Sequence, residues 1–544
     1  MKKLLSVFLS ICLLCSCTST PDKPNEEFTS FCDQIFIETM ESDYTTMHQM
    51  LENPEDFHID LSKVEVSLGD FITDNDKEIK ENLNTLHSFD YDSLDHTQKS
   101  IYLELEKEWN LELNLNKEEI LYNTNVLSSM NGIHEQLITF FSEYTLRNEQ
   151  DVKDLIVLIK DVPRYFDEMI AYIKKQADMD LLMYDTKSVL NSIQEIVDSR
   201  EDSSVTSHLM NEIDSLSIDS KEDYKSKVEQ VLQNDFFPSY QRLLDTLIQY
   251  EDQVIPMTGL YYIKNGKEYY KYIVEQATGT TKSIETIQKE LENALDDTLK
   301  DYLKLSDYET SLTTSFTTVE EILSFLNENY KKDFPEVGQM NYEIKALDDD
   351  QSTDGVVAYF IIPAIDNSSP YQIRYNKRDY GKDIEDIEMY TTLAHEGIMG
   401  HMYQAQYNLE NLDTSIQYLF NSSGLSEGYA TYAQLYALKY LDKDTKACKL
   451  ENELNFYLTA LLDLSIHYDG LTLEELNEQY NMDMSSFYNQ IAENPGVFLS
   501  YYYGYLQVKQ LKDSFKGSDL QFHTQLLQYG NVYFDVLSKM FKKS

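Results

Sequence analysis

Apolar residues recur three and four positions apart through most of the chain, with acids and lysines filling the gaps. Residues 101–115, 132–147, 151–175 and 187–198 show this spacing most clearly, and each predicts an amphipathic helix. From residue 26 to about 330 nearly everything follows it. Breaks are expected at Asn53-Pro54, at 198–204 and at Phe237-Pro238, and Pro163 predicts a helix start or a kink. The polar stretch 212–222, rich in serine and acids, reads as a loop or helix boundary and a seam between two halves. The pattern changes at 355–362, G-V-V-A-Y-F-I-I, which reads as a strand. A turn at 366–370 and a second strand at 371–376 follow. Helical spacing returns over 384–406, behind an acidic entry at 379–388. A polar break at 421–426 precedes a helix opening on Glu427, with Ala430, Ala433 and Ala437 as a small-residue face. Behind Pro495-Gly496, residues 498–505 begin another helix with four tyrosines. No repeat or sustained heptad is found. The fold class is mainly α, with a small sheet or hairpin just ahead of the helix at 384. Most of the 42 tyrosines are then buried stripe residues.

The amino terminus departs from this pattern. M-K-K, an apolar run from Leu4 to Leu14 and then Cys15-Ser16-Cys17 make a bacterial lipoprotein signal, cut before Cys17 and lipidated on it. Residues 1–16 are the expected signal peptide and 17–25 a tether. An N-terminal helical part, 26–240, then packs as one body with a C-terminal part, 241–544, that carries the chemistry. The expected location is extracytoplasmic, with the bilayer reached through the N-terminal diacylglycerol alone, since no later run is long enough to span it. The formal net charge of −50 argues against nucleic acid and against electrostatic adhesion to anionic lipid. Cys32 and Cys448 have no spacing that asks for a disulfide, and the sequence does not give the oligomeric state.

The chemistry concentrates in T-L-A-H-E-G-I-M-G-H, Thr392 to His401. Zincin peptidases place two histidines four apart on a helix, with a glutamate between them as base. Here the second histidine is six residues on. On a continuous helix it would lie about 120° around and about 9 Å along the axis, out of reach of a shared ion. His395 and His401 can meet only if the helix breaks between them, and Gly397 and Gly400 are suited to that. Asp463 and His467 stand four apart on another predicted helix, either as a carboxylate orienting a histidine or as a surface pair. The other histidines, His48 and His134 among them, have no partner at metal-ligand spacing. No G-x-S-x-G elbow or phosphate-binding glycine loop is present.

These residues resemble the bacterial family known as domain of unknown function 885, related in fold to the helical zinc peptidases, with the signature His-Glu-x-x-Pro-Gly-His. His395, Glu396, Gly400 and His401 match it at its own spacing, and Met399 stands where proline is usual. Gly259-Leu260, residues 266–270, the run E-G-Y-A-T-Y-A from Glu427, Asp463 with His467, and Pro495-Gly496 with Ser500-Tyr501 and Gly504 match further stretches in order. The resemblance implies a large helical zincin-like metallopeptidase fold, with Zn2+ held by His395, His401 and Glu427. It implies Glu396 as general base, Tyr501 as the donor to the developing oxyanion with His467 second, and Asp463 as an outer-shell carboxylate. The expected function is a lipid-anchored zinc peptidase acting on small or extended peptides. The rivals are a non-catalytic envelope peptide-binding lipoprotein, a zinc amidase acting on cell-wall peptides, and a purely structural envelope protein.

Overall fold

A stripe of apolar residues runs along each helix and is buried against its neighbours. The helix Glu149–Asp178 shows how: Val152, Leu155, Ile159, Val162, Phe166, Met169, Ile173 and Ala177 fall on one inward face. Its first turn is closed by Asn148, whose side chain accepts from the Gln150 and Asp151 N–H groups. A computed structural model gives this architecture and describes residues 23–129, 131–306, 312–347, 358–366, 370–376 and 384–541. Cys17 and its leader, residues 355–357 of the expected strand, most of the expected turn and the acidic entry at 379–383 lie outside the described residues.

Twenty-two α-helices and three strands make up the described residues, a predominantly helical fold with one small open sheet. Two helix expectations need correction. The helix Glu149–Asp178 continues through Pro163, so that proline does not start a helix. At Phe237-Pro238 the chain does not break; a π-helical turn, Leu232–Phe236, joins Lys221–Val231 to Phe237–Tyr250. Proline there sits in the first turn, where its missing N–H costs nothing.

The sheet consists of β1 (Tyr342–Ala346), β2 (Ala358–Ile361) and β3 (Tyr371–Tyr375), in the order β1-β3-β2. The central strand β3 is parallel to β1 and antiparallel to β2. β1 was not expected. Its Y-E-I-K-A alternates exposed Glu343 and Lys345 with half-buried residues, as an edge strand does. Beyond β2 the chain docks on the N-terminal part: the Ile365 N–H donates to the Met50 carbonyl at 2.8 Å, and Asp366 accepts from the Glu52 and Asn53 N–H groups at 2.8 Å.

The main core runs from Phe28 to Met540, with a small satellite around Leu462, Ile466, Leu476 and Tyr488. Ten of the largest fully buried side chains are tyrosines. Buried hydroxyls need partners, and several close onto backbone carbonyls: Tyr240 on His134, Tyr390 on Ala437 and Tyr403 on Pro335. Cys32 and Cys448 are both free thiols.

Candidate metal centre

The helix Ile387–Glu396 is capped by the Asp386 side chain, which accepts from the Glu388 N–H, and ends at Glu396. A second helix begins at His401 and runs to Asn411. The four residues between them interrupt the helix, and the two imidazoles lie with ring centroids 4.9 Å apart, as no continuous helix permits. Gly400 cannot be replaced in this turn, because a Cβ there would stand 1.6 Å from the His395 carbonyl oxygen. Met399, fully buried, takes φ +90°, a region that costs any residue with a side chain about 1–3 kcal/mol. The strain is held from outside: the Tyr429 hydroxyl donates to the Met399 carbonyl at 2.6 Å.

Tyr429 lies on the helix Ser423–Ala437, two residues beyond Glu427. That helix starts at Ser423, earlier than expected, which puts Glu427 in its second turn, facing inward. It crosses the helix Val497–Ser514 at glycines: a Cβ on Gly428 would come within 2.4 Å of the Gly504 backbone. The close crossing sets Glu427 and Tyr501 at one depth. At this crossing the close approach is made by glycines, while Ala430, Ala433 and Ala437 of the expected small-residue face are fully buried.

His395, His401 and Glu427 offer one ligand atom each, all within 4.8 Å of one another. The Nε2 atoms of His395 and His401 stand 3.4 and 3.3 Å from Glu427 Oε2. That oxygen is buried and makes no hydrogen bond. An orphaned carboxylate oxygen aimed at by two imidazoles suits a cation, and the group can coordinate a metal ion. Without one, the charges lean on each other. Burial opposes a charged His401, yet the Glu427 carboxylate outweighs it and lifts the imidazole to about 9. Burial would raise Glu427 too, but His401 and His395 hold it well below the usual carboxylate range. Glu396 lies against His395, Oε1 to Nε2 4.0 Å, and burial raises its pKa. The Tyr501 ring stacks on His395 at 6.0 Å, and the negative charge of Glu427, then burial and Glu396, keep its hydroxyl protonated far into alkali.

Glu396, His401, Glu427 and Tyr501 line a cleft of about 520 Å³ whose opposite wall is β2 and the helix Tyr44–Met50. The N-terminal half thus contributes Thr46, Gln49 and Met50, which no motif marked.

Asp463 and His467 do not join this group, nor do they line the cleft. The His467 Nδ1 accepts from the Leu260 N–H at 3.2 Å and its Nε2 meets the Ile491 carbonyl at 3.1 Å. Both nitrogens are therefore engaged by backbone and none is left for a substrate. Burial pushes the ring down to about 4, which keeps it neutral. Asp463 accepts from the Tyr270 hydroxyl and from the Gly496 N–H, the residue that opens the Tyr501 helix. Its carboxylate supports that helix and does not orient His467.

No curated protein matches the chain in sequence. A Colwellia psychrerythraea protein described as a "putative lipoprotein" superposes with TM-score 0.77 at 17% identity, over 95% of this chain and 98% of that one. A Shewanella oneidensis protein described as a "putative lipoprotein of unknown function" gives TM-score 0.52 at 13% identity, over 86% and 91%. Both show the fold alone. Residues 70–540 match the family described as "Bacterial protein of unknown function (DUF885)", and the chain belongs to that family.

Proposed function

We propose that the chain is a zinc-dependent peptidase for small or extended peptides. The observation that carries this reading is Glu427 Oε2, buried without a hydrogen bond between two imidazole nitrogens. Ligand atoms bonded to a tetrahedral zinc at 2.0–2.2 Å stand about 3.4 Å apart, close to the 3.3 and 3.4 Å between Glu427 and the histidines. His395, His401 and Glu427 would hold the ion, and a bound zinc supplies Lewis acidity toward water and the scissile carbonyl. Glu396 takes the proton from the attacking water and passes it to the departing amine; burial has raised its proton affinity for that task. Tyr501 donates its hydroxyl to the oxyanion as it forms. The outer edge of β2 offers backbone groups to an extended substrate in the cleft. We extend the reading to a lipid anchor on Cys17 and an extracytoplasmic site, from the leader sequence and from the descriptions of the two related structures. Among the described residues no helix is long and apolar enough to cross a membrane. Diacylglycerol on Cys17 is checked by mass analysis of membrane-extracted protein.

The same metal group and cleft serve a non-catalytic peptide-binding lipoprotein or a zinc amidase acting on cell-wall peptides, and neither needs turnover of ordinary peptides. Met399 in the place of the signature's proline, with Ser465 where glycine is usual, favours the non-catalytic alternative. One experiment separates the three. Protein prepared without chelator should carry about one zinc per chain and cleave a mixed peptide library; Glu396→Gln should keep the zinc and lose roughly 10²–10⁴ in turnover. Zinc without cleavage of any peptide gives the binding protein, and cleavage confined to cell-wall amides gives the amidase.

A further inference from the structure

A second cavity of about 520 Å³ lies on the other side of β2. The strand register assigns the faces. Phe360 pairs with Ile373, and Ile373 reaches within 3.4 Å of the position a Gly397 Cβ would take, so this face looks toward the metal turn. Tyr359 pairs with Arg374 and Ile361 with Gln372, on the opposite face. Ile361 and Gln372 line the second cavity, together with His48, Glu143 and Arg147 from the N-terminal half. The two cavities share Gln49, Tyr359, Phe360, Ile362, Pro363 and Ala364, so they meet around the strand and the segment that follows it. Among the described residues β2 pairs on one side only, with β3.

The charge in the second cavity is unusual for so acidic a chain. Arg164, Arg242 and Arg374 each pair with a carboxylate, Arg374 with Glu143 at 2.8 Å, while the exposed Arg200 is held by Gln233. Among the described residues the Arg147 guanidinium has no such partner. Its NH2 group donates to the His48 carbonyl at 2.9 Å and its NH1 group approaches His48 Nδ1 at 3.4 Å, while its buried Nε donates to nothing. The nearby Asp151 carboxylate accepts from the Arg147 backbone N–H. His48 is itself fixed, stacked on Tyr144 at 4.4 Å with Nε2 on the Thr145 carbonyl at 2.9 Å. Glu143 is neutralised by Arg374, and Glu135, the other acid lining the cavity, is hydrogen-bonded by Ser192. The guanidinium is therefore hydrogen-bonded by neutral groups alone, with Asp151 attracting it from nearby but no carboxylate in direct contact.

We propose that an extended peptide pairing with the outer edge of β2 sends alternate side chains to opposite faces, and that Arg147 takes a carboxylate on the face away from the metal. This rests on the peptide reading above and narrows it. Substrates would carry an aspartate or glutamate, or a free C-terminus, at a position whose two neighbours face the metal cleft. A guanidinium with donors to spare is matched to a carboxylate.

The test uses full-length, zinc-loaded Glu396→Gln, which should bind without cleaving. Ten-residue alanine-serine peptides with one glutamate scanned along the length are compared with glutamine versions, each with a free or an amidated C-terminus, by fluorescence anisotropy. A glutamate at one position, or at positions an even number apart, should tighten binding about tenfold. Added Arg147→Gln should erase that difference while leaving the glutamine peptides within about twofold; Arg147→Lys should keep part of it. An effect confined to free C-termini assigns the same pocket to the terminal carboxylate. Binding without any acid preference, preference at adjacent positions, or preference that survives Arg147→Gln overturns the proposal and leaves the peptide reading standing. If no peptide binds, both fall. Should Arg147→Gln fail to fold, the positional scan on the Arg147 protein still decides.

Discussion

The C-terminal half contains two groups of histidine and acid, and they are built in opposite ways. Around His395 and His401 the imidazoles point at Glu427, whose Oε2 is buried and makes no hydrogen bond. Around His467 every polar atom is accounted for: both ring nitrogens meet backbone groups, and Asp463 accepts from Tyr270 and from Gly496. Burial differs as well: Asp463 and His467 are fully buried, whereas the His401 and Glu427 side chains keep 14% and 22% exposure where they open on the cleft. The chemical difference lies in what is left unmet. The two imidazoles meet Glu427 Oε2 as ion pairs, 3.4 and 3.3 Å away and without an aligned hydrogen bond, and a cation between them could take up that unmet capacity. The second has none and behaves as internal scaffolding.

Substitutions sharpen the contrast. His401→Ala should lower metal affinity more than 100-fold and hydrolysis by roughly 10³-fold or more; it also removes the charge that faces Glu427, so the melting temperature should fall too, and metal analysis and thermal melting read the two separately. His467→Ala should cost stability alone. It strands the Leu260 N–H and the Ile491 carbonyl in the core, at about 2–5 kcal/mol of stability, and zinc content should not change. Loss of zinc from His467→Ala without a fall in melting temperature would break the comparison. The smallest effect concerns pH. Burial raises Asp463 from 3.8 to about 7, so the folded chain holds an extra proton across that interval and stability from this group falls as pH rises through it. Asp463→Asn, which keeps an acceptor for Gly496, should remove that fall. The melting temperature of the variant should gain on the parent from pH 4 to pH 7, by at most about 4 kcal/mol in stability.

Much of this was legible in the residues. The i+6 spacing of His395 and His401, with glycines between, required a broken helix, and the chain does break between Glu396 and His401. Strands β2 and β3 were legible because their residues are β-branched or aromatic; β1 was hidden by its alternating charges. Glu427 had no local mark as a ligand and came from the family resemblance. Asp463 and His467 were misread for a definite reason. Their i+4 contact presumes α-helical turns, but residues Ser465–Asp469 form a π-helical turn that swings the histidine away. Gly504 was noted as part of a motif, yet its partner Gly428 lies on a helix far away in sequence, and only the crossing joins them. The second cavity was illegible for the same reason. His48 looked isolated because Arg147, its neighbour in space, is about a hundred positions along the chain.

The Met399 turn also limits what can stand at that position. Proline holds φ near −65°, whereas this position sits at +90°. A proline placed at 399 could not slip into the present turn; the peptide on either side, and the Tyr429 contact that clasps it, would have to move with it. The spacing of the two histidines and the shape of the loop between them are thus one constraint, and a residue at 399 is tolerated only if its backbone can follow that shape.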